Sequence, residues 1–346
     1  MTGRRLRLWF VACGSVIVLV AVACGVTVWT YTRLSSPYSG WAGDSVDVDL
    51  PQGTSAAAMF DGLKAAGVLR DPAMLRGWIA LTGGGARLQA GEYRFDRPIA
   101  PLEVLDRLRR GDVLLHPVTI PEGLVLEEIA RRFVDAGLAS YDRLVDAFRD
   151  PRGASTIDPD ATDLEGYLYP ETYRFPRDAS AERIAENLVA RFREAIGEGY
   201  TERARAVGLG VRQAVILASM IERETSVPEE RRRISRVFHN RLRRGMRMQC
   251  DPTVLYALHR AGLPVTSLSR AHLGFDSPWN TYRVEGLPVG PIANPGKASL
   301  DAAVDPGPGL DLYFVAKPGG GHRFSRTLDG HLAAVAEWRA YSVSSR

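Results

Sequence analysis

An unbroken stretch without a charged side chain, from Leu8 to Tyr31, governs what the rest of this 346-residue chain can be. A helix of about 20 apolar residues crosses the hydrocarbon core of a bilayer. The stretch is longer than the apolar run of about 7–15 residues in a cleaved signal peptide. Arg4, Arg5 and Arg7 sit just before it. The bias of cationic residues towards the cytoplasm therefore orients a single uncleaved span, residues 8–31, with a cytoplasmic tail of residues 1–7. Trp9, Trp29 and Tyr31 fall where the two interfaces would be. A lipoprotein reading with Cys24 as the lipidated residue fits less well, because the chain stays apolar after Cys24. The remainder is expected to lie outside the inner membrane.

Over the whole chain, 45% hydrophobic and 24% charged residues provide for a sizeable core, and the length suggests about two domains. The net charge is only +4, and the cations are nearly all arginine, with lysine only at Lys64, Lys297 and Lys317. Basic runs are short and mixed with acids, as in Glu229-Glu230-Arg231-Arg232-Arg233. A nucleic-acid binder needs a basic stripe or a reading motif, and neither occurs. Cys13 and Cys24 lie in the apolar run, so Cys250 has no soluble partner. That excludes a disulfide framework and a zinc motif. Cys250 reads as a small buried hydrophobe. The six histidines show no ligand spacing, so no metal or organic cofactor is expected.

Local signals predict an α+β protein. Residues 32–44, rich in Ser, Pro and Gly, read as a linker. Residues 45–117 form a small α+β unit. Val46–Leu50 and Gly91–Phe95 alternate as strands, Thr54 can cap one helix, Asp71-Pro72 opens another, and Pro101 starts a third. Residues 118–346 form a larger mixed α/β domain. Leu124–Leu138, Tyr141–Phe148, the stretch capped by Ser180, Val211–Thr225 and Arg231–Leu242 carry helical periodicity. Leu312–Ala316 and Arg323–Ser325 read as a hairpin around Gly319-Gly320-Gly321, and His331–Tyr341 as a final helix. The aromatic segment 163–176 suits either the core or a sugar groove.

Chemistry concentrates in Leu217-Ala218-Ser219-Met220-Ile221-Glu222-Arg223-Glu224-Thr225, where an apolar helix runs into two glutamates. Residues two apart on a helix point about 200° apart, so the two carboxyls cannot serve one cleft. One is a candidate acid and the other a partner for an ion pair. The wheel does not choose between them. Later segments, Phe238–Leu242, Met246–Tyr256, Trp279–Tyr282 and Gly286–Gly296, place Asn, Gln, Asp and Tyr in loops, where they suit hydrogen bonds to sugar hydroxyls and N-acetyl groups.

LASMIERET, NRLRRGMRMQCDPTVLYAL, NTY and GLPVGPIANPG, in this order and spacing, resemble the YceG-like (MltG) family of endolytic murein transglycosylases. LEGYLYPETYRF (164–175) and GHRF (321–324) also look like family features. The resemblance covers about residues 45–341. It implies a LysM-like peptidoglycan-holding unit at 45–117 and a YceG-like catalytic domain at 118–346. It implies cleavage of the MurNAc-β-1,4-GlcNAc bond of nascent strands to leave 1,6-anhydroMurNAc ends, an action that would terminate glycan polymerisation. Peptidoglycan is then the substrate, and cell-wall synthases or penicillin-binding proteins are partners at the family level. The catalytic glutamate of lytic transglycosylases is typically followed by Ser or Thr, which transfers the role to Glu224.

In this reaction the muramic acid C6 hydroxyl attacks C1. The tethered nucleophile does what a second carboxylate does in most glycosidases. One glutamate can protonate the leaving oxygen and then, as carboxylate, accept the C6 proton. It must be protonated at rest, and burial beside Leu217, Met220 and Ile221 would raise its pKa. Thr225, Asn240, Gln249, Asp251, Asn280 and Tyr282 are the candidates for orienting substrate or steadying the glutamate; each also has a structural reading. Arg247 is placed to pair with Asp251 or to meet a substrate carboxylate. A muramidase-type hydrolase at the same glutamate and a non-catalytic, membrane-anchored peptidoglycan-binding protein are the alternatives.

Overall fold

The computed structural model describes residues 2–82 and 88–344, and divides them into two compact units. The smaller comprises the chain up to His116 with Pro176–Asp178; the larger comprises Pro117–Phe175 and everything from Ala179.

In the smaller unit, α1 runs from Thr2 to Ser35, and its segment Cys13–Ser35 is long and apolar enough to cross a membrane, with its side chains exposed up to Arg33 except for a half-buried Thr30. The side chains of Arg4, Arg5 and Arg7, on which the orientation rests, lie outside the described residues. The segment 32–44 is not a free tether. Its first residues continue α1, Leu34 is buried, and Tyr38 pairs through its backbone with Ile99. Strand β1 (Val46–Leu50) pairs antiparallel with β2 (Gly91–Phe95), and α2 (Ala56–Ala65) and α3 (Pro72–Thr82) come between them in the chain. Alternation puts Val48, Leu50, Tyr93 and Phe95 into a core with Phe60, Leu63, Leu75 and, from α4 (Pro101–Arg110), Leu105 and Leu108. Ser55, not Thr54, caps α2, its hydroxyl accepting from the N–H of Ala58 at 3.3 Å. Gly111, left-handed at φ 70°, closes α4.

The larger unit opens with β3 (His116–Thr119), paired with β4 (Thr172–Phe175); α5 (Leu126–Asp135) and α6 (Tyr141–Arg149) lie between them in sequence. It continues through α7 (Ala181–Ile196), α8 (Tyr200–Ala206), α9 (Val211–Glu224), α10 (Arg231–Arg243), α11 (Asp251–Arg260) and α12 (Lys297–Val304). The antiparallel hairpin β5 (Tyr313–Ala316) and β6 (His322–Ser325) and then α13 (Leu328–Ser344) finish it. Helix α9 is buried on all sides from Ala214 to Ile221 and apolar there except for Ser219, which is why α8, α10, α11 and α12 all pack against it. Its buried Ser219 hydroxyl bonds inside the helix to Ile216 and accepts from the N–H of Ile292 at 3.1 Å, pinning the Pro- and Gly-rich loop to it.

Helix α10 is polar where it meets α12, and the polarity is used. Ser235 donates to the carbonyl of Ala302, His239 bonds that of Ala303 through Nε2, and Arg232 and Arg236 reach those of Asp305, Pro306 and Gly307. The carbonyls of Ala302 and Ala303, in the last turn of α12 where the helix itself leaves them unpaired, are thereby satisfied. The aromatic segment resolves as core: Tyr167 and Phe175 are buried, and Tyr173 packs partly buried against the same cluster. Within that segment Glu165, wholly buried, accepts from Asn294 at 2.6 Å, Tyr256 at 3.2 Å and the N–H of Leu126 at 3.3 Å. Asn294 in turn accepts from the N–H groups of Gly166 and Leu168, each at 2.9 Å. The LEGYLYPE and GPIANPG stretches are thus two halves of one buried joint.

Candidate active site

Helix α9 ends at Glu224 because Thr225 adopts extended backbone angles and its hydroxyl accepts from the N–H of Val227 at 3.0 Å. The two glutamates then part, as the helical geometry requires. Glu222 turns inward, its side chain 6% exposed. One oxygen accepts from the N–H of Gly296 at 3.0 Å; the other lies 3.5 Å from Arg231, which also bonds Ser299. Nearby Glu122 is raised in pKa by burial and by the charge of Glu222. Glu222 is fully engaged as an ion-pair partner.

Glu224 instead lines an open cleft of about 530 Å³ with Gln249, Asp251, Tyr282, Arg241, His322 and Trp338. Burial pushes its carboxyl from 4.5 up to about 7. A hydrogen bond from the Cys250 thiol opposes the rise, the charge of Asp251 adds to it, and Arg241 opposes it more weakly. The thiol of Cys250 is itself raised, by burial first and then by Glu224. Cys250 is therefore more than a hydrophobic filler: its S–H faces the acid.

The wall opposite is built at the start of α11, a helix where the turn residues of the sequence predict a loop. Pro252 occupies its first turn. Cys250 donates its N–H to the Thr281 hydroxyl at 3.0 Å, and Thr253 bonds both the Cys250 carbonyl and Thr281. This clasp sets Tyr282 beside Asp251, whose carboxylate accepts from the phenol at 2.5 Å. Burial, then that bond, raise the pKa of Tyr282. Gln249, which donates its N–H to Thr281, holds φ at 45°, the one non-glycine residue with positive φ among the described residues. Such a conformation costs energy and persists where surrounding contacts enforce it, often at working sites.

Of the six candidates named beside Glu224, the structure gathers Gln249, Asp251 and Tyr282 around the cleft. The other three bond within the protein. Asn240 donates to the carbonyl of Asp311 at 2.8 Å, and Asn280 to those of Leu273 and Phe275 at 3.1 and 2.7 Å. Thr225 donates to Glu230 at 3.4 Å. Arg247 is exposed and makes no ion pair with Asp251. Arg241, Tyr313, His322, His331 and Trp338 line the cleft without having been singled out. Arg241 is buried and has no carboxylate partner among the described residues; the carbonyls of Leu312 and Met248, each at 2.7 Å, take its hydrogens, and it lies over the ring of Tyr313. Nothing in its arginine-rich surroundings marks it. His322 stands in the GHRF stretch, which carried a signal without an assignment. Among the described residues no group of His, Cys, Asp and Glu is arranged to hold a metal ion.

An α+β protein with an apolar N-terminal helix and a polar, aromatic cleft built on one half-buried carboxyl is the class that fold and site define. The chain belongs to the YceG-like family, whose sequence profile matches residues 48–337. It is 30% identical over 310 residues to the endolytic murein transglycosylase of Bacillus subtilis, covering 85% of each chain. It is 25% identical over 304 residues to that of Streptococcus pneumoniae serotype 2, covering 78% of this chain and 54% of the relative. The chain therefore spans about half the length of the streptococcal protein. Among solved structures, a YceG-like protein from Listeria monocytogenes superposes with a TM-score of 0.57 at 30% identity, covering 84% of this chain and 99% of that one.

Proposed function

We propose that this chain is an endolytic murein transglycosylase, cutting the MurNAc-β-1,4-GlcNAc bond of nascent strands and leaving 1,6-anhydroMurNAc ends. The observation that carries the reading is Glu224: a half-buried carboxyl, raised to about 7, facing a cleft with room for sugars. At neutral pH a large share of it holds the proton needed for the leaving oxygen. After transfer, the carboxylate accepts the proton of the muramic acid C6 hydroxyl, which attacks C1 and closes the anhydro ring. No water enters the balance. Asp251 is bonded to Tyr282 and serves to orient that phenol; Gln249, Asp251 and Tyr282 are the groups assigned to sugar contacts.

The apolar helix anchors the chain, with residues 1–7 in the cytoplasm and the chain that follows the span, from residue 32, beyond the membrane. The antiparallel strands β1 and β2, with two helices between them in sequence, support a LysM-like role in holding glycan for the smaller unit. With α1 continuing into that unit, the enzyme works close to the bilayer, where strands emerge from synthases; those synthases are the partners we assign.

Full-length protein in detergent, given uncrosslinked glycan strands, tests the reading by mass spectrometry of the new ends. Anhydro ends support it. Reducing ends make the protein a muramidase-type hydrolase, and binding without any new ends makes it a peptidoglycan-binding protein.

A further inference from the structure

The cleft contains a second prepared group, the imidazole of His322. Glu230 holds it at two points: the His322 Nδ1 lies 2.7 Å from one carboxylate oxygen, and its backbone N–H donates to the other at 2.7 Å. The pair is largely shielded, with side chains 15% and 14% exposed. Phe314 packs against the ring nearly perpendicular at 5.3 Å. Gly321, at φ 70°, is required for this clamp, because a Cβ there would lie 2.6 Å from a Glu230 oxygen. Thr225, the residue after Glu224, donates its hydroxyl to the same carboxylate. A chain of bonds thus runs from the helix end that positions the acid, through Thr225 and Glu230, to His322.

A carboxylate only accepts, so it fixes the proton of a neutral imidazole on Nδ1 and leaves Nε2 as an acceptor. His322 lines the cleft, and Nε2 has no hydrogen-bond partner among the described residues. We propose that His322 is a substrate-contacting residue, its Nε2 accepting a hydrogen bond from a sugar hydroxyl, and that Thr225 and Glu230 are positioning residues for it. The assignment rests on the glycan-cleaving reading of the same cleft. It also gives Thr225 a reason to follow the catalytic glutamate that involves no sugar contact.

The test uses full-length protein and uncrosslinked glycan strands. His322→Ala is expected to lower kcat/KM about tenfold, as for one lost hydrogen bond. His322→Gln, which returns an acceptor near the Nε2 position, recovers most of that loss, and added imidazole partly restores the alanine variant in a saturable way. Binding is read separately in a Glu224→Gln background, where adding His322→Ala weakens glycan affinity without lowering the melting temperature. If wild type makes no anhydro ends, the reaction assigned above fails, and the binding arm still decides the role of His322. Wild-type kcat/KM in His322→Ala, or unchanged glycan affinity in the double variant, overturns the proposal. Equal losses in the alanine and glutamine variants, with a lowered melting temperature and no imidazole rescue, assign His322 to structure alone.

Discussion

Replacing Glu224 with glutamine should stabilise the protein, and only at neutral to alkaline pH. The folded carboxyl sits at about 7 against an ordinary 4.5. Below 4.5 both folded and unfolded states hold the proton, and the residue imposes no penalty. Between 4.5 and about 7 the unfolded chain releases its proton first, so stability falls as pH rises; above about 7 the loss is complete. At 1.36 kcal/mol for each pH unit, the ceiling is about 3 kcal/mol. One side of the residue is open to the cleft, and solvent screening brings this to roughly 1.5–2 kcal/mol. Glutamine has no proton to lose, and its amide oxygen can still accept from Cys250. For a unit of this size the difference corresponds to a melting temperature about 3–8 °C above wild type at pH 8.5. The assay is thermal unfolding of both proteins at pH 4.5 and 8.5. A gain of the same size at both values, or none at 8.5, would refute the burial argument.

Three further outcomes follow from the same geometry. Activity needs the protonated carboxyl, so kcat/KM should fall about tenfold per pH unit above about 7; Cys250→Ala, by removing the bond that lowers this pKa, should move the fall to higher pH in a pH–rate profile. Glu222→Gln should cost about 1–3 kcal/mol in urea unfolding, because it leaves Arg231 with a weakened partner in a buried place, yet it should leave the chemistry of the product ends unchanged. Gly166→Ala should cost about 2 kcal/mol or more, since the backbone there is at φ 89° and a Cβ would sit 2.6 Å from Pro291; comparing its denaturation midpoint with wild type checks this.

Where one periodicity dominates, the fold was legible in the chain. Strands β1 and β2 alternate, α4 has Pro101 at its start and Gly111 at its end, and α9 has a buried, mostly apolar middle from Ala214 to Ile221. Helix α11 was not legible, because its first turn, Asp251-Pro252-Thr253, carries the residues of a turn as well as those of a helix start. Helix α12 hides behind the proline and glycine that precede it. At the site, the division between Glu222 and Glu224 was anticipated by angle, but which one faces the cleft depends on Arg231 and Gly296, far apart in sequence. Asn240 and Asn280 show why polar residue type is a poor guide to substrate contact: backbone carbonyls already occupy them, that of distant Asp311 for Asn240 on α10 and those of nearby Leu273 and Phe275 for Asn280. His322 and Arg241 reach the cleft only through β6 and the carbonyls around β5, which no local pattern reveals.

The most direct test of the central claim separates the two glutamates by product. Wild type, Glu224→Gln and Glu222→Gln, each full-length in detergent, are incubated with uncrosslinked glycan strands, and new ends are identified by mass spectrometry. Anhydro ends from wild type and from Glu222→Gln, with none from Glu224→Gln, are the predicted result. Anhydro ends at the wild-type rate from Glu224→Gln would contradict the assignment of the acid.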